Sequence, residues 1–279
     1  MSDTNEKTGI RAEVESAEGP SLPAEIKNYP HQLEGDLYLC GTNSPDGYTG
    51  DSYFLRHQDG NWLVNTPKYD TQMAKKLESL GGVNHIFLTH RDDGVDAEKF
   101  AKHFDAKRIV HRNDVEAHPT AEVILAETET YDYQKQFTLI PSPGHTEGHM
   151  MLLFGNQYLF SGDSLYYEYK NQRLELWSPD WTWYSYEEQT MSLEKLLPLE
   201  FRWLLPNHGG RIELPVGEMK QQLQEALDRA WSHPDPDLAH DEKIDNLRVY
   251  AKSLLERNQP EYAKLITVKA DWLSTLVNK

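Results

Sequence analysis

Four short stretches carry side chains able to hold a divalent metal, and each follows an apolar run. His90, Asp92, Asp93 and Asp96 come after Ile86-Phe87-Leu88; His145 comes after Phe137-Thr138-Leu139-Ile140 and a Pro-Ser-Pro-Gly turn. Asp163 comes after Tyr158-Leu159-Phe160, and His208 after Trp203-Leu204-Leu205. Imidazole nitrogen and carboxylate oxygen are the donors that bind hydrolytic metal ions, and residues two apart in an extended loop can aim at one ion. The acidic run from Asp92 to Asp96 also has a plainer reading as a solvated helix start, where negative side chains complement the macrodipole. His149 and His111 read as satisfied structural histidines sooner than as ligands.

Such residues need a rigid frame, and the apolar pattern supplies one. Leu37 to Cys40 reads as a first strand, and Ser52 to Leu55 with Trp62 to Val64 as a hairpin turning at Gln58-Asp59-Gly60-Asn61. Met73, Leu77 and Leu80 fall at helical spacing between Tyr69 and Leu80, ahead of Gly81-Gly82. The strand before His90, a helix from about Asp96 to Phe104 and a strand at Arg108-Ile109-Val110 form a parallel crossover unit, whose functional loops belong at the carboxyl ends of its strands. Met150 to Phe154 and Tyr158 to Phe160 read as a second hairpin that ends at Asp163. Helices are expected from Ser185 to Leu197 and from after Pro215 to about Ala230, with a strand from Phe201 to Leu205 between them. Between Asp163 and His208 lie Tyr166, Tyr167, Tyr169, Trp177, Trp181, Trp183, Tyr184 and Tyr186; they plug a core edge or wall a substrate site.

Taken in order, these stretches resemble the metallo-β-lactamase superfamily, with its H-x-H-x-D-H run, its G-H-T-x-G histidine, a bridging aspartate and a histidine before glycine. The resemblance covers roughly Leu37 to Ile212 and implies an α/β fold, a four-layer αββα sandwich. It implies a first metal held by His90, Asp92, His145 and Asp163, and a second held by Asp163, His208 and Asp96. Asp92 stands where a histidine is usual, and Ala97 stands where the second-site imidazole belongs. One tightly bound divalent ion, with a second weak or absent, is therefore expected: Zn²⁺ or Fe²⁺, with Mn²⁺ also compatible. A histidine in place of Ala97 is expected to complete the second set at little cost in stability. Asn65 occupies the position of an aspartate that supports the metal loop. The function implied is hydrolysis of a carbonyl ester, thioester or lactone through metal-activated water, with Asp93 or Asp96 orienting water or protonating a leaving group. The alternatives are a redox, di-iron-like member of the fold and a non-catalytic one.

The chain has 279 residues, enough for one large core. We divide it into a polar tail over residues 1–30, a metallo-β-lactamase-like domain over 31–232 and a helical extension over 233–279 packed on that domain. Asp and Glu total 45 against 28 Lys and Arg, a net charge of -17. That balance argues against nucleic acid or an anionic membrane as partner, while the resemblance implies a small-molecule substrate and leaves a homo-oligomer open. Cys40 is the sole cysteine, which excludes an internal disulfide and reads as a small buried hydrophobe. Met1 to Glu18 lacks an apolar run of signal-peptide length, and a cytoplasmic location is expected.

Overall fold

The computed structural model describes residues 28–41, 50–92, 94 and 96–231, together with Arg248, Lys252, Lys264, Thr267, Asp271 and Ser274. Two sheets face one another. The first runs in sequence order through β1 (His31–Glu34), β2 (Leu37–Gly41), β3 (Ser52–Leu55), β4 (Trp62–Val64), β5 (His85–Phe87), β6 (Lys107–His111) and β7 (Val123–Leu125). Its first four strands pair antiparallel, and β4 to β7 pair parallel. The parallel part is built by crossovers through α1 (Thr71–Ser79) and α2 (Ala97–Phe104). The second half contributes β8 (Tyr131–Tyr133), β9 (Phe137–Pro141), β10 (Met150–Phe154) and β11 (Tyr158–Gly162). A separate hairpin of β12 (Leu165–Glu168) and β13 (Arg173–Leu176) and the helix α3 (Tyr186–Glu194) come next. The chain then adds β14 (Trp203–Pro206), β15 (Ile212–Glu213) and α4 (Val216–Trp231), and the second sheet has the order β15-β14-β11-β10-β9-β8.

Strand alternation decides the layers. Tyr53, Leu55, Trp62, Val64, Phe87 and Ile109 turn inward and meet Leu139, Leu152, Phe160 and Leu205 of the other sheet. Their neighbours Phe54, Leu63, Ile86 and Val110 turn outward and pack with Met73, Leu77 and Phe100 of the first helix pair. On the far side Ile140, Met151, Leu153, Leu159 and Leu204 pack with Leu193 of α3 and Leu223 and Leu227 of α4. The result is the expected αββα sandwich with three apolar layers, each buried aliphatic or aromatic side chain contributing roughly 1.5–3 kcal/mol relative to exposure. Cys40 lies in the outer layer as a buried hydrophobe, its thiol pushed up by burial.

Three local differences from the sequence reading have physical causes. The helix expected from Tyr69 starts at Thr71, because the Asp70 carboxylate accepts from Gln72 N at 2.7 Å and Met73 N at 2.9 Å and so sets the cap. A strand, β1, precedes the expected first strand; His31 and Gln32 are exposed on this edge, so no apolar alternation marks it. The aromatic stretch after Asp163 is not simply loop, since Leu165 and Tyr167 face Leu174 and Leu176 across the β12-β13 hairpin. The tail over 1–30 lies outside the described residues except for positions 28–30. So does the extension over 233–279, apart from the six positions named above, whose backbone is helical. Among the described residues no helix is long and apolar enough to cross a membrane.

Candidate metal centre

The loops at the carboxyl ends of β5, β9, β11 and β14 converge on Asp163. Its Oδ2 lies 3.5 Å from His90 Nε2 and 3.6 Å from His145 Nε2. His145 Nε2 also faces Asp92 Oδ2 at 3.8 Å. His208 Nδ1 lies closer, 3.0 Å from Asp163 Oδ1 and 2.9 Å from Oδ2, and its backbone N–H donates to Oδ1 at 3.1 Å. Among the described residues, His90, His145 and Asp163 form a buried group whose donor atoms lie within 4.8 Å of one another.

Hydrogen bonds fix how these rings point. A carbonyl only accepts, so the 2.8 Å contact of His145 Nδ1 with Trp181 O puts the proton on Nδ1 and leaves the Nε2 lone pair facing the two carboxylates. That Nε2 is buried and makes no hydrogen bond. Thr89 Oγ1 donates to Asn65 Oδ1 at 3.1 Å and stands 3.0 Å from His90 Nδ1, which therefore donates to it and turns Nε2 toward Asp163. Asn65, with φ of 53°, also accepts from Thr89 N at 3.0 Å and donates to Asn207 Oδ1 at 2.9 Å. A neutral amide thus braces the loop where the resemblance implied a carboxylate.

The spacing fits an ion. Tetrahedral donors roughly 2.0–2.2 Å from a zinc-sized cation stand about 3.3–3.6 Å apart, and the distances of 3.5 and 3.6 Å from Asp163 to His90 and His145 lie in that range. The 2.9 Å contact of His208 is instead a direct hydrogen bond. Burial works to raise the pKa of Asp163, yet His208, His90 and His145 hold its carboxyl well below the usual range. Burial lowers the pKa of His145, with Asp92 and Asp163 opposing, so the ring stays neutral as a metal ligand must.

Asp96 has a different role from the one inferred for it as ligand and catalytic acid or base. Its Oδ2 accepts from Tyr69 N at 2.6 Å and its Oδ1 pairs with Lys99 Nζ at 2.6 Å, so both oxygens tie the start of α2 to the segment before α1. Ala97 beside it is fully buried in the outer apolar layer, not at the edge of a polar loop. Asp93, the other inferred catalytic carboxylate, lies outside the described residues.

His149 is structural. Its Nδ1 lies 2.8 Å from Ser142 Oγ, its Nε2 accepts from Asp163 N at 3.1 Å, and its ring stacks on His90 at 5.5 Å. Gly162, with φ of +56°, makes this possible, since a Cβ there would fall 2.4 Å from His149 Nε2. His111 is structural too, accepting from Asn113 N at 3.3 Å. The sequence reading missed Asp114, whose buried carboxylate accepts from Arg91 N and Thr146 Oγ1, and nothing in its local sequence marks it. The tryptophans stand around the cluster: Trp183 lies edge-on to His145 at 6.0 Å, Trp177 edge-on to His208 at 6.2 Å, and Trp181 is 36% exposed.

No protein-family model matches the chain. In sequence it is 27% identical over 157 residues to the beta-lactamase-like protein 2 homolog of Drosophila melanogaster, a match covering 54% of this chain and 48% of that protein. The chain thus spans about half the length of the curated relative it matches. In structure it is similar to a metallo-beta-lactamase from Pontibacter korlensis, with a TM-score of 0.55, 13% identity, and coverage of 73% of this chain and 98% of that one. It is likewise similar to TTHA1623 in a di-iron-bound form, with a TM-score of 0.51, 21% identity, and coverage of 64% and 95%. The chain has the metallo-β-lactamase fold, and the order of its candidate ligand stretches and its sequence relative are similar to that superfamily.

Proposed function

We propose that the protein is a metal-dependent hydrolase that cleaves a carbonyl ester, thioester or lactone. The observation that carries this reading is the convergence of His90, His145 and Asp163, with a tautomer fixed from behind on each ring and the His145 Nε2 lone pair buried and unbonded. His90, His145, Asp163 and Asp92 would hold the ion. A divalent metal supplies Lewis acidity toward a carbonyl and lowers the pKa of water toward neutrality. Two imidazoles and two carboxylates suit Zn²⁺ or Fe²⁺, with Mn²⁺ compatible.

The chain's own residues do the rest. Asp163 keeps its negative charge at the centre of three imidazoles, and Trp181 O with Thr89 Oγ1 keeps His145 and His90 from turning. With Asp96 engaged by Tyr69 and Lys99, Asp92 is the described first-loop carboxylate that faces the other ligands, 3.8 Å from His145 Nε2, and it adds negative charge to the site. Trp181 offers an apolar surface beside His145 for the acyl portion of a small substrate. The net charge of -17 is our ground for excluding nucleic acid and anionic membranes as partners, and a reducing cytoplasm suits the lone buried Cys40.

One observation favours a second reading, a redox di-iron protein: Asp92 replaces an imidazole, which hardens the site toward iron. Assay of the protein stripped with chelator and reloaded separately with Zn²⁺, Fe²⁺ and Mn²⁺, against nitrophenyl esters, an acyl thioester and a lactone, tests the proposal. Metal-dependent turnover of at least one class is expected, falling on the order of 100-fold or more in His145→Ala. No turnover with any metal, or turnover untouched by the substitution, contradicts it.

A further inference from the structure

Resting on the metal-site reading, we infer that Asp114 is a positioning residue that sets the spacing of the metal ligands before any ion arrives. Its side chain is buried, with the residue 3% exposed, and it is committed in three directions. Oδ2 accepts from Arg91 N at 3.0 Å and from Thr146 Oγ1 at 2.6 Å, and Oδ1 accepts from Gly148 N at 3.2 Å. Arg91 stands between His90 and Asp92, and Thr146 follows His145. One carboxylate therefore joins the loop after β5, which carries two ligands, to the loop after β9, which carries a third.

Asp114 comes from a third loop, the short 3₁₀ turn Arg112–Ala117 that follows β6. His111 Nδ1 caps that turn by accepting from Asn113 N, which holds Asp114 at the right height. Position 148 is fitted to the carboxylate as well: a Cβ there would lie 2.6 Å from Asp114 Cγ and 2.7 Å from Asp114 N. An ionised carboxylate accepts only, so it can meet three donors at once; an asparagine of the same shape must set its NH₂ against one of them. The clamp is built of groups adjacent to the ligands but touches neither substrate nor ion, so it acts through the placement of His90, Asp92 and His145. Partners of this kind carry roughly 10- to 100-fold in metal affinity.

The test uses the full chain, stripped of metal, with Zn²⁺ affinity measured by competition against a chromophoric chelator and the thermal midpoint of the metal-free protein measured in parallel. Asp114→Asn is expected to lose about 10- to 100-fold in Zn²⁺ affinity, and Thr146→Val, which removes only the bond to the His145 loop, to lose on the order of 10-fold. Asp70→Ala, which removes the cap of α1, serves as the control: it lowers the midpoint and leaves the affinity unchanged. If both site variants lower the midpoint but keep Zn²⁺ affinity within about 2-fold of the parent, Asp114 is a fold residue only and the inference is overturned. If Asp114→Asn fails to fold, Thr146→Val decides by the same criterion. A parent protein that binds no Zn²⁺ overturns the metal reading and the clamp together, whereas a parent that binds while the variants match it overturns the clamp alone.

Discussion

Asp163 shows how one residue type takes its role from its surroundings. It is buried, as Asp114 and Asp96 are, but three imidazoles surround it, whereas Asp114 meets backbone and hydroxyl donors and Asp96 meets a lysine. The histidines carry a testable consequence. Burial leads in lowering the pKa of His145, and burial, His90 and His145 hold His149 well below 6.5. In the unfolded chain both titrate near 6.5, so their contribution to stability is complete above that pH and is lost as pH falls from 6.5 toward the folded-state values. Asp51 works in the opposite sense. Burial outweighs Arg211, 2.9 Å away, and pushes its carboxyl up to about 6, so its contribution is present below 3.8 and lost as pH rises through about 6. Two histidines outweigh one aspartate, and the thermal midpoint of the metal-free protein is expected to fall between about pH 7.5 and about pH 5.5. A midpoint that is flat or rises over that range contradicts the neutral, buried state of the pair. The candidate ligands His90, Asp92, His145, Asp163 and His208 were legible because each follows an apolar run. Asp114 was not, because its partners lie 23 to 34 residues away in other loops.

At the scale of elements, the site sits where strands end and helices begin, and there the same chemistry serves two purposes. Asp96 reads as a ligand or, more plainly, as part of a helix start, and in the structure it precedes α2 with its oxygens on Tyr69 N and Lys99 Nζ. Ala97 follows with no exposure, packed in the layer that holds Cys40, Leu88 and Phe100. This reverses the expectation that an imidazole at 97 completes a second metal set at little cost. Ala97→His is now expected to destabilise the protein by about 1–3 kcal/mol through overpacking, with no gain in affinity for a second ion. Denaturant unfolding and metal titration of the variant check both parts, and unchanged stability with tighter second-ion binding would place residue 97 at a second metal site. Strands whose apolar residues run continuously or alternate, β2 to β6 and β9 to β11, were readable from sequence. The edge strand β1 and the β12-β13 hairpin were hidden, the first by its exposed polar residues and the second by the tyrosines that break its alternation.

The whole molecule is a sandwich whose two sheets deliver candidate metal ligands from opposite halves of the chain, His90 and Asp92 from the first sheet and His145, Asp163 and His208 from the second. An ion bound there would link the two halves, and binding to the folded state alone would stabilise both by mass action. The fold was legible at this scale because the four ligand stretches kept their order, while the relation between the loops was set by contacts between strand ends distant in sequence. The account stands or falls on uptake of metal by the stripped protein, measured by calorimetric titration and confirmed by elemental analysis after dialysis. It predicts one transition-metal ion per chain bound tightly, since His90, His145 and Asp163 have an ion's spacing. It predicts a second ion held at least about 10-fold more weakly, because His208 is hydrogen-bonded directly to Asp163. No uptake, or two ions bound with equal affinity, would contradict it.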